Sequence, residues 1–328
     1  MQRIIFVGIL VLILIIIGAI IDQIFYRIMR LIFEKHTANV IRLWTFCAVI
    51  TIIVVSTLYA HYITRLSIQV NNIEIASTRV PKSFDGFRIA HISDFHIDSF
   101  DDHKEFVDEI VNSILDEQPD IVCFSGDIVT MRSAQLIPYR KSLARLASTG
   151  IPVYFVMGNH DYADYAWRLD EARKIQDRDS LRLMIKEIGW QQLDNTKNAI
   201  CRGADSIIIA GVENIGEPPF SVYGDLSKAM EGDLNPETFT VLLSHNPTHW
   251  RSEVLPASGI DLMLAGHTHA MQFRVFGWSP SKWKYPDYEG LHTEGNQYLY
   301  VNTGLGCTGF PFRYGVKPEV TILSLKAS

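Results

Sequence analysis

FRIAHISDFH (residues 87–96), IVCFSGD (121–127) and VYFVMGNHD (153–161) share one construction: a short apolar run that ends abruptly in a polar cluster. Runs of this length, apolar on both faces and rich in Ile, Val and Phe, read as buried strands. Between them, residues 104–115 space Phe106, Ile110, Val111, Ile114 and Leu115 at helical intervals with acidic residues opposite, and residues 136–147 are again helix-like. This βαβαβ rhythm predicts an α/β fold whose polar clusters lie at the C-terminal ends of strands, where open sheets bind ligands. Beyond a charged helix expected over residues 163–188, the chain turns strand-rich, with candidates at 206–211, 239–244, 262–265, 272–276, 297–302 and 319–325. No repeat, low-complexity tract or Pro/Gly/Ser linker divides residues 70–328, so a single domain is expected there.

The strand ends carry Asp94-Phe95-His96, Gly126-Asp127, Gly158-Asn159-His160-Asp161, Ser244-His245-Asn246 and Gly266-His267-Thr268-His269. Alone, each has an ordinary reading: an Asp after a strand is commonly a turn residue, and a single His is commonly just a satisfied polar group. Together, in order and each after a strand, they form a ligand set of carboxylate, imidazole and amide oxygen without thiolate. Such a set suits Mn²⁺, Fe, Zn²⁺ or Co²⁺ at a working site rather than a structural zinc. Two cations ~3.5–4 Å apart can grip both sides of an in-line displacement at phosphorus and lower the pKa of a shared water. A carboxylate between them offsets their repulsion, and Asp127 is the natural bridge. His160, next to Asn159, is placed to give the leaving oxygen a proton.

The five clusters, taken in order, resemble the calcineurin-like metallophosphoesterase superfamily, whose pattern is D-x-H, G-D, G-N-H-D/E, a lone His and G-H-x-H. The likeness runs from Phe87 to the neighbourhood of Tyr300. It implies that Asp94, His96 and His269 hold one divalent metal, that Asn159, His245 and His267 hold the other, and that Asp127 bridges them. It also implies that His160 is a catalytic histidine outside the ligand set, and that the fold is a four-layered αββα sandwich with mixed sheets. Gly126-Asp127 is followed by Ile-Val-Thr-Met-Arg, which departs from the V-D-R-G of Ser/Thr protein phosphatases and argues against that activity. The chain is more similar to bacterial membrane-tethered phosphoesterases, with a C-terminal block around Asn302, Pro311, Arg313 and Pro318. Arg313 is a candidate substrate-phosphate ligand, a bidentate donor whose ordinary alternative is a surface ion pair.

Residues 4–21 and 43–60 are apolar runs of the ~20 residues a helix needs to cross a bilayer. The first is long for a signal peptide and lacks a convincing cleavage site. A two-helix membrane anchor over residues 1–65 is therefore expected, leaving a multi-pass chain with its phosphoesterase domain at 70–328. The intervening stretch carries Arg27, Arg30, Lys35 and Arg42, which by the positive-inside rule puts the domain outside the cytoplasm. It also holds Ile24, Phe25, Ile28, Met29, Ile32 and Phe33 at helical spacing, so a separate interfacial helix is a second reading.

A net charge of −6 without a basic run argues against nucleic acid as a partner. Aromatic segments at Tyr162, Tyr165 and Trp167, and at Phe276, Trp278, Trp283, Tyr285 and Tyr288, flank the clusters. They are either ordinary packing or a rim that meets the bilayer and admits a lipid head group. The expected substrate is a phosphodiester or pyrophosphate, with a lipid-linked form such as a UDP-diacylglucosamine-type precursor in view. That precursor is met on the cytoplasmic face, in tension with the charge count. The alternatives are a nuclease of the same superfamily and a non-catalytic receptor or scaffold that retains the fold.

Overall fold

The computed structural model describes residues 2–217, 221–232, 237–256 and 259–328, with side chains from residue 16 onward. The chain divides into two compact units, Met1–Tyr59 and Ala60–Ser328.

The smaller unit is a pair of helices, α1 (Gln2–Ile32) and α2 (Lys35–Tyr62), the latter running into the second unit by its last three residues. Among the described residues one segment, Lys35–Leu66, is long and apolar enough to cross a membrane. The first apolar run, 4–21, falls largely on residues whose side chains lie outside the described ones. The separate interfacial helix is not seen. Ile24, Phe25, Ile28, Met29 and Ile32 simply continue α1, and only Phe33 and Glu34 separate the two helices. Asp22 and Arg42 clasp the pair, with Nε donating to Oδ1 at 2.8 Å and the guanidinium lying over the Tyr26 ring.

In the larger unit the strands are β1 (Gln69–Ser77), β2 (Arg88–Ile92), β3 (Ile121–Phe124), β4 (Val153–Phe155), β5 (Gln191–Gln192), β6 (Thr196–Arg202), β7 (Asp205–Gly211), β8 (Thr240–Leu243), β9 (Leu262–Ala265), β10 (Gly290–Glu294), β11 (Gln297–Val301) and β12 (Glu319–Ala327). They form two six-stranded mixed sheets, ordered β1-β12-β2-β3-β4-β5 and β10-β11-β9-β8-β7-β6. Parallel runs β2-β3-β4-β5 and β7-β8-β9-β11 form most of the two sheets; β12-β2, β6-β7 and β10-β11 are antiparallel, and β1 pairs in parallel with β12 at the edge of the first.

Strand alternation builds the layers. Ile121 and Cys123 point between the sheets, towards Val241, Leu243, Leu262 and Leu264. Val122 and Phe124 point the other way, onto α3 (Glu105–Asp116), α4 (Arg140–Ser148) and α5 (Glu171–Glu187). The far face of the second sheet, through Leu242, Met263 and Val301, is covered by Trp250, Val254 and the short α6 (Leu226–Ala229). Helix, sheet, sheet, helix is the resulting order. Four central strands are apolar on both faces because both faces are covered.

Three sequence expectations change. Residues 272–276 are not a strand, because Ala270, Met271, Gln272 and Phe276 have positive φ, which no extended ladder accommodates. The charged helix starts at Glu171 rather than 163, where Asp170 accepts the N–H of Arg173 as an N-cap. Arg313 is not at the surface. It is fully buried, with its guanidinium donating to the carbonyls of Thr303, Gly304, Gly306 and Val316. It holds the loop between β11 and β12 rather than a substrate phosphate. Arg313→Met should therefore cost about 3–5 kcal/mol of stability by stranding those carbonyls, read as a lowered unfolding midpoint in detergent. Metal-loaded protein that still folds should keep its affinity for a phosphate ester.

Candidate metal centre

The loops after β2, β3, β4, β8 and β9 deliver the five polar clusters to one place. The backbone there is unusual. Asp94, His96, Asp127, His267 and His269 all have φ between 39° and 73°. A left-handed turn costs a non-glycine residue ~1–2 kcal/mol, and such strain collects at functional sites. Glycines make the closeness feasible: a Cβ on Gly158 would lie 2.2 Å from Asp127 Oδ1, and one on Gly266 2.2 Å from Asp94 Oδ2.

Two donor groups result. In the first, His269 Nε2 lies 3.2 Å from Asp94 Oδ1 and 3.1 Å from His96 Nε2. In the second, His245 Nε2 lies 3.2 Å from Asp127 Oδ2 and from His267 Nδ1, and 3.1 Å from Asn159 Oδ1. Asp127 Oδ2 also stands 3.6 Å from His96 Nε2, so its carboxylate touches both groups. His96, Asp127 and His160 form a third candidate metal-holding set. All eight residues named from the clusters thus come together; Arg313 does not.

The rings are oriented from behind. His245 Nδ1 donates to the Ser125 carbonyl at 2.9 Å, so Nε2 is the nitrogen turned to the site and would offer its lone pair to a cation once its proton is displaced. His160 Nδ1 likewise meets the Thr130 carbonyl at 2.7 Å. Its ring stacks on Tyr165 with centroids 4.1 Å apart. Imidazole nitrogens facing one another at hydrogen-bond distance beside two carboxylates are what divalent cations would occupy, so the donor set fits them.

The buried charges interlock. Burial opposes ionisation of Asp127, but His245, His160 and His96 outweigh it and hold the carboxyl well below its usual range. Burial also works against a charge on His245, yet Asp127 wins and pushes it up to about 9. His267 is pushed down to about 3 by burial and by His245. The metal-free centre thus keeps a proton on His245 at neutral pH, and a cation must displace it. Because that pKa is raised, the competition is full below it and vanishes above about 9. Apparent metal affinity should rise with pH from 7 to 9 and then level off. Calorimetry in buffers of different ionisation enthalpy should register the released proton; a flat pH dependence with no proton release would contradict this.

Three residues had no role assigned from sequence. Asp161 accepts the N–H groups of Asp127, Ile128, Val129 and Gly158 at 2.8–3.2 Å, tying two site loops together. Burial and Asp127 push it up to about 8, while those donors favour its ionised form. Tyr165 accepts from Asn159 Nδ2 at 2.8 Å, and the Tyr285 hydroxyl lies 3.1 Å from His267 Nε2. Their chain positions were visible as aromatic segments, but nothing in the sequence marked these two hydroxyls as partners of site residues.

A mixed two-sheet sandwich with a histidine–carboxylate centre at its strand ends defines a metal-dependent hydrolase class. The chain belongs to the calcineurin-like phosphoesterase family, whose sequence pattern matches residues 87–271. It is thus a metallophosphoesterase by family, a class that acts on phosphoric esters with divalent metal, and its His/Asp clusters could hold such ions. It is 28% identical over 283 residues to the uncharacterized metallophosphoesterase YkuE of Bacillus subtilis, covering 82% of this chain and 90% of that one. It is 28% identical over 268 residues to the Bos taurus transmembrane protein with metallophosphoesterase domain, covering 79% of this chain and 57% of that one. An uncharacterized metallophosphoesterase of Campylobacter jejuni is 24% identical over 306 residues, 93% of this chain and 72% of that relative.

Proposed function

We propose that the chain is a membrane-anchored phosphoesterase with two metals, hydrolysing a phosphodiester or pyrophosphate bond in a lipid-borne substrate. The observation that carries this reading is the shared wall: Asp127 reaches His245 of one donor group and His96 of the other within 3.6 Å. Asp94, His96 and His269 would hold one cation, and Asn159, His245 and His267 the other, with Asp127 between. Cations bound there would supply a water of lowered pKa and neutralise the phosphoryl oxygens. The protein's own groups do the rest. Asp127 Oδ1 is held by the His160 N–H at 2.8 Å, leaving Oδ2 directed to the centre. His160, with Nδ1 committed to Thr130, has Nε2 for moving a proton to the leaving oxygen.

The anchor is read as a two-pass hairpin with the domain outside the cytoplasm. Arg65, just after the second apolar run, is buried and paired with Asp102 at 2.7 Å and adds nothing to the charge count. Arg27, Arg30, Lys35 and Arg42 remain. A phosphatase-reporter fusion at the C-terminus tests the orientation.

Substrate preference is tested with the Mn²⁺-loaded full chain in bilayers, offered lipid phosphodiesters, lipid pyrophosphates and soluble bis-p-nitrophenyl phosphate. Preferential turnover of one lipid class is expected. Equal turnover of soluble and lipid esters would remove the lipid reading, and no turnover by a fully loaded protein would remove the hydrolase reading.

A further inference from the structure

We propose that Met271, Phe276, Trp278, Trp283 and Phe310 form an apolar rim that seats the catalytic unit on the bilayer surface, beside the metal centre. This deepens the lipid-borne reading above and is tested separately from it.

Phe276 is fully exposed, Trp283 is 81% exposed, and Met271, Phe310 and Trp278 are exposed at 59%, 46% and 39%. Single exposed apolar residues are ordinary; a cluster on one connected surface calls for an occupant. Hydrogen bonds tie together the segments that carry these residues. The Gln272 side chain donates to the carbonyls of Phe310 and Phe312, both at 3.0 Å. Backbone bonds run from Tyr314 N to Gln272 O and from Arg274 N to Tyr314 O, both 2.7 Å, and the rings of Phe273 and Tyr314 stack. Trp278 and Trp283 meet edge to face, centroids 5.1 Å apart. Phe276 stands at φ 50° in a tight turn with Gly277 at 78°, so the backbone is held in a costly conformation while the ring faces outward. That arrangement does not serve packing.

The neighbourhood names the occupant. The Pro311 carbonyl is hydrogen-bonded to His61, and Arg313 N donates to Ala60 O at 3.3 Å. Ala60, His61 and Tyr62 are the last turn of α2, the apolar membrane-length helix. Phe310 is therefore one residue from a direct bond to the point where that helix ends. Tyr62 and Ile63 there are themselves 57% and 49% exposed. Lys282 and Lys284 sit among the rim's tryptophans, a composition suited to the headgroup layer with its anionic lipids. His269 opens the turn that carries Met271, so a seated rim would hold the metal centre at headgroup depth.

The test uses the zinc-loaded full chain in nanodiscs of phosphatidylcholine and phosphatidylglycerol, with or without brominated acyl chains. Trp44→Phe serves as background, since Trp44 lies on α2. Tryptophan emission should be quenched in this background by brominated lipid, and quenching should disappear once Trp278→Ser and Trp283→Ser are added. Absence of quenching in the background, or its persistence in the added variant, overturns the proposal, as does cross-linking that shows a second copy covering the rim. Circular dichroism confirms that the variant is folded. If quenching behaves as expected but soluble and bilayer-borne esters are turned over equally, docking stands and the lipid-substrate reading falls.

Discussion

Asp127→Asn should lower turnover by about a thousandfold or more and reduce bound metal from two ions to at most one, because a single carboxylate serves both donor groups. Asparagine is the informative replacement: it keeps the shape, and it tolerates the left-handed φ of 62° at this position. What it removes is negative charge. His245 at 3.2 Å and His96 at 3.6 Å lose the shared anion, and the two cations of the proposed centre would lose the group that offsets their repulsion. Metal analysis after exhaustive dialysis reads the stoichiometry, and steady-state kinetics at saturating metal reads the rest. A variant with two tightly held ions and wild-type turnover would end the bridging account.

His160→Ala should separate chemistry from metal binding. A positioned proton donor contributes typically 10²–10⁴-fold, so kcat should fall by about that factor. Metal content should hold, because His160 lies outside the two main groups and its Nδ1 is occupied by Thr130. The loss should be smaller for esters with a p-nitrophenolate leaving group, which departs without a proton, than for alkyl esters. His96, Asp127 and His160 also form a set able to hold a cation, so the opposite result has a clear meaning. If metal is lost along with activity, His160 is a ligand.

Much of this was legible in the chain. IVCF at 121–124 and LMLA at 262–265 are apolar on both faces, and that alone marks a covered strand. The edge strands were harder. QVNNIEIAS at 69–77 is a strand only because β12 pairs with it in parallel across its whole length, a partner some 250 residues away. The expected strand at 272–276 failed for the converse reason: the pattern fits a ladder, but the turn after His269 imposes positive φ. The interfacial helix failed because a short apolar spacing cannot tell a separate helix from the continuation of a longer one.

The metal centre divides along the same line. Donor types and their places at strand ends follow from local pattern, since a strand that stops in Asp or His leaves that residue at the sheet's edge. Closeness does not. Asp94 and His269 are 175 residues apart in sequence yet 3.2 Å apart in space, and it took two packed sheets to bring them there. Arg313 is the plainest case. A lone arginine reads as a surface donor for phosphate, and only the folded loop shows four carbonyls turned inward to hold it. Residue chemistry along the chain determined what could be bound; burial, long-range pairing and strained turns decided which groups meet, because those depend on partners that no local stretch contains.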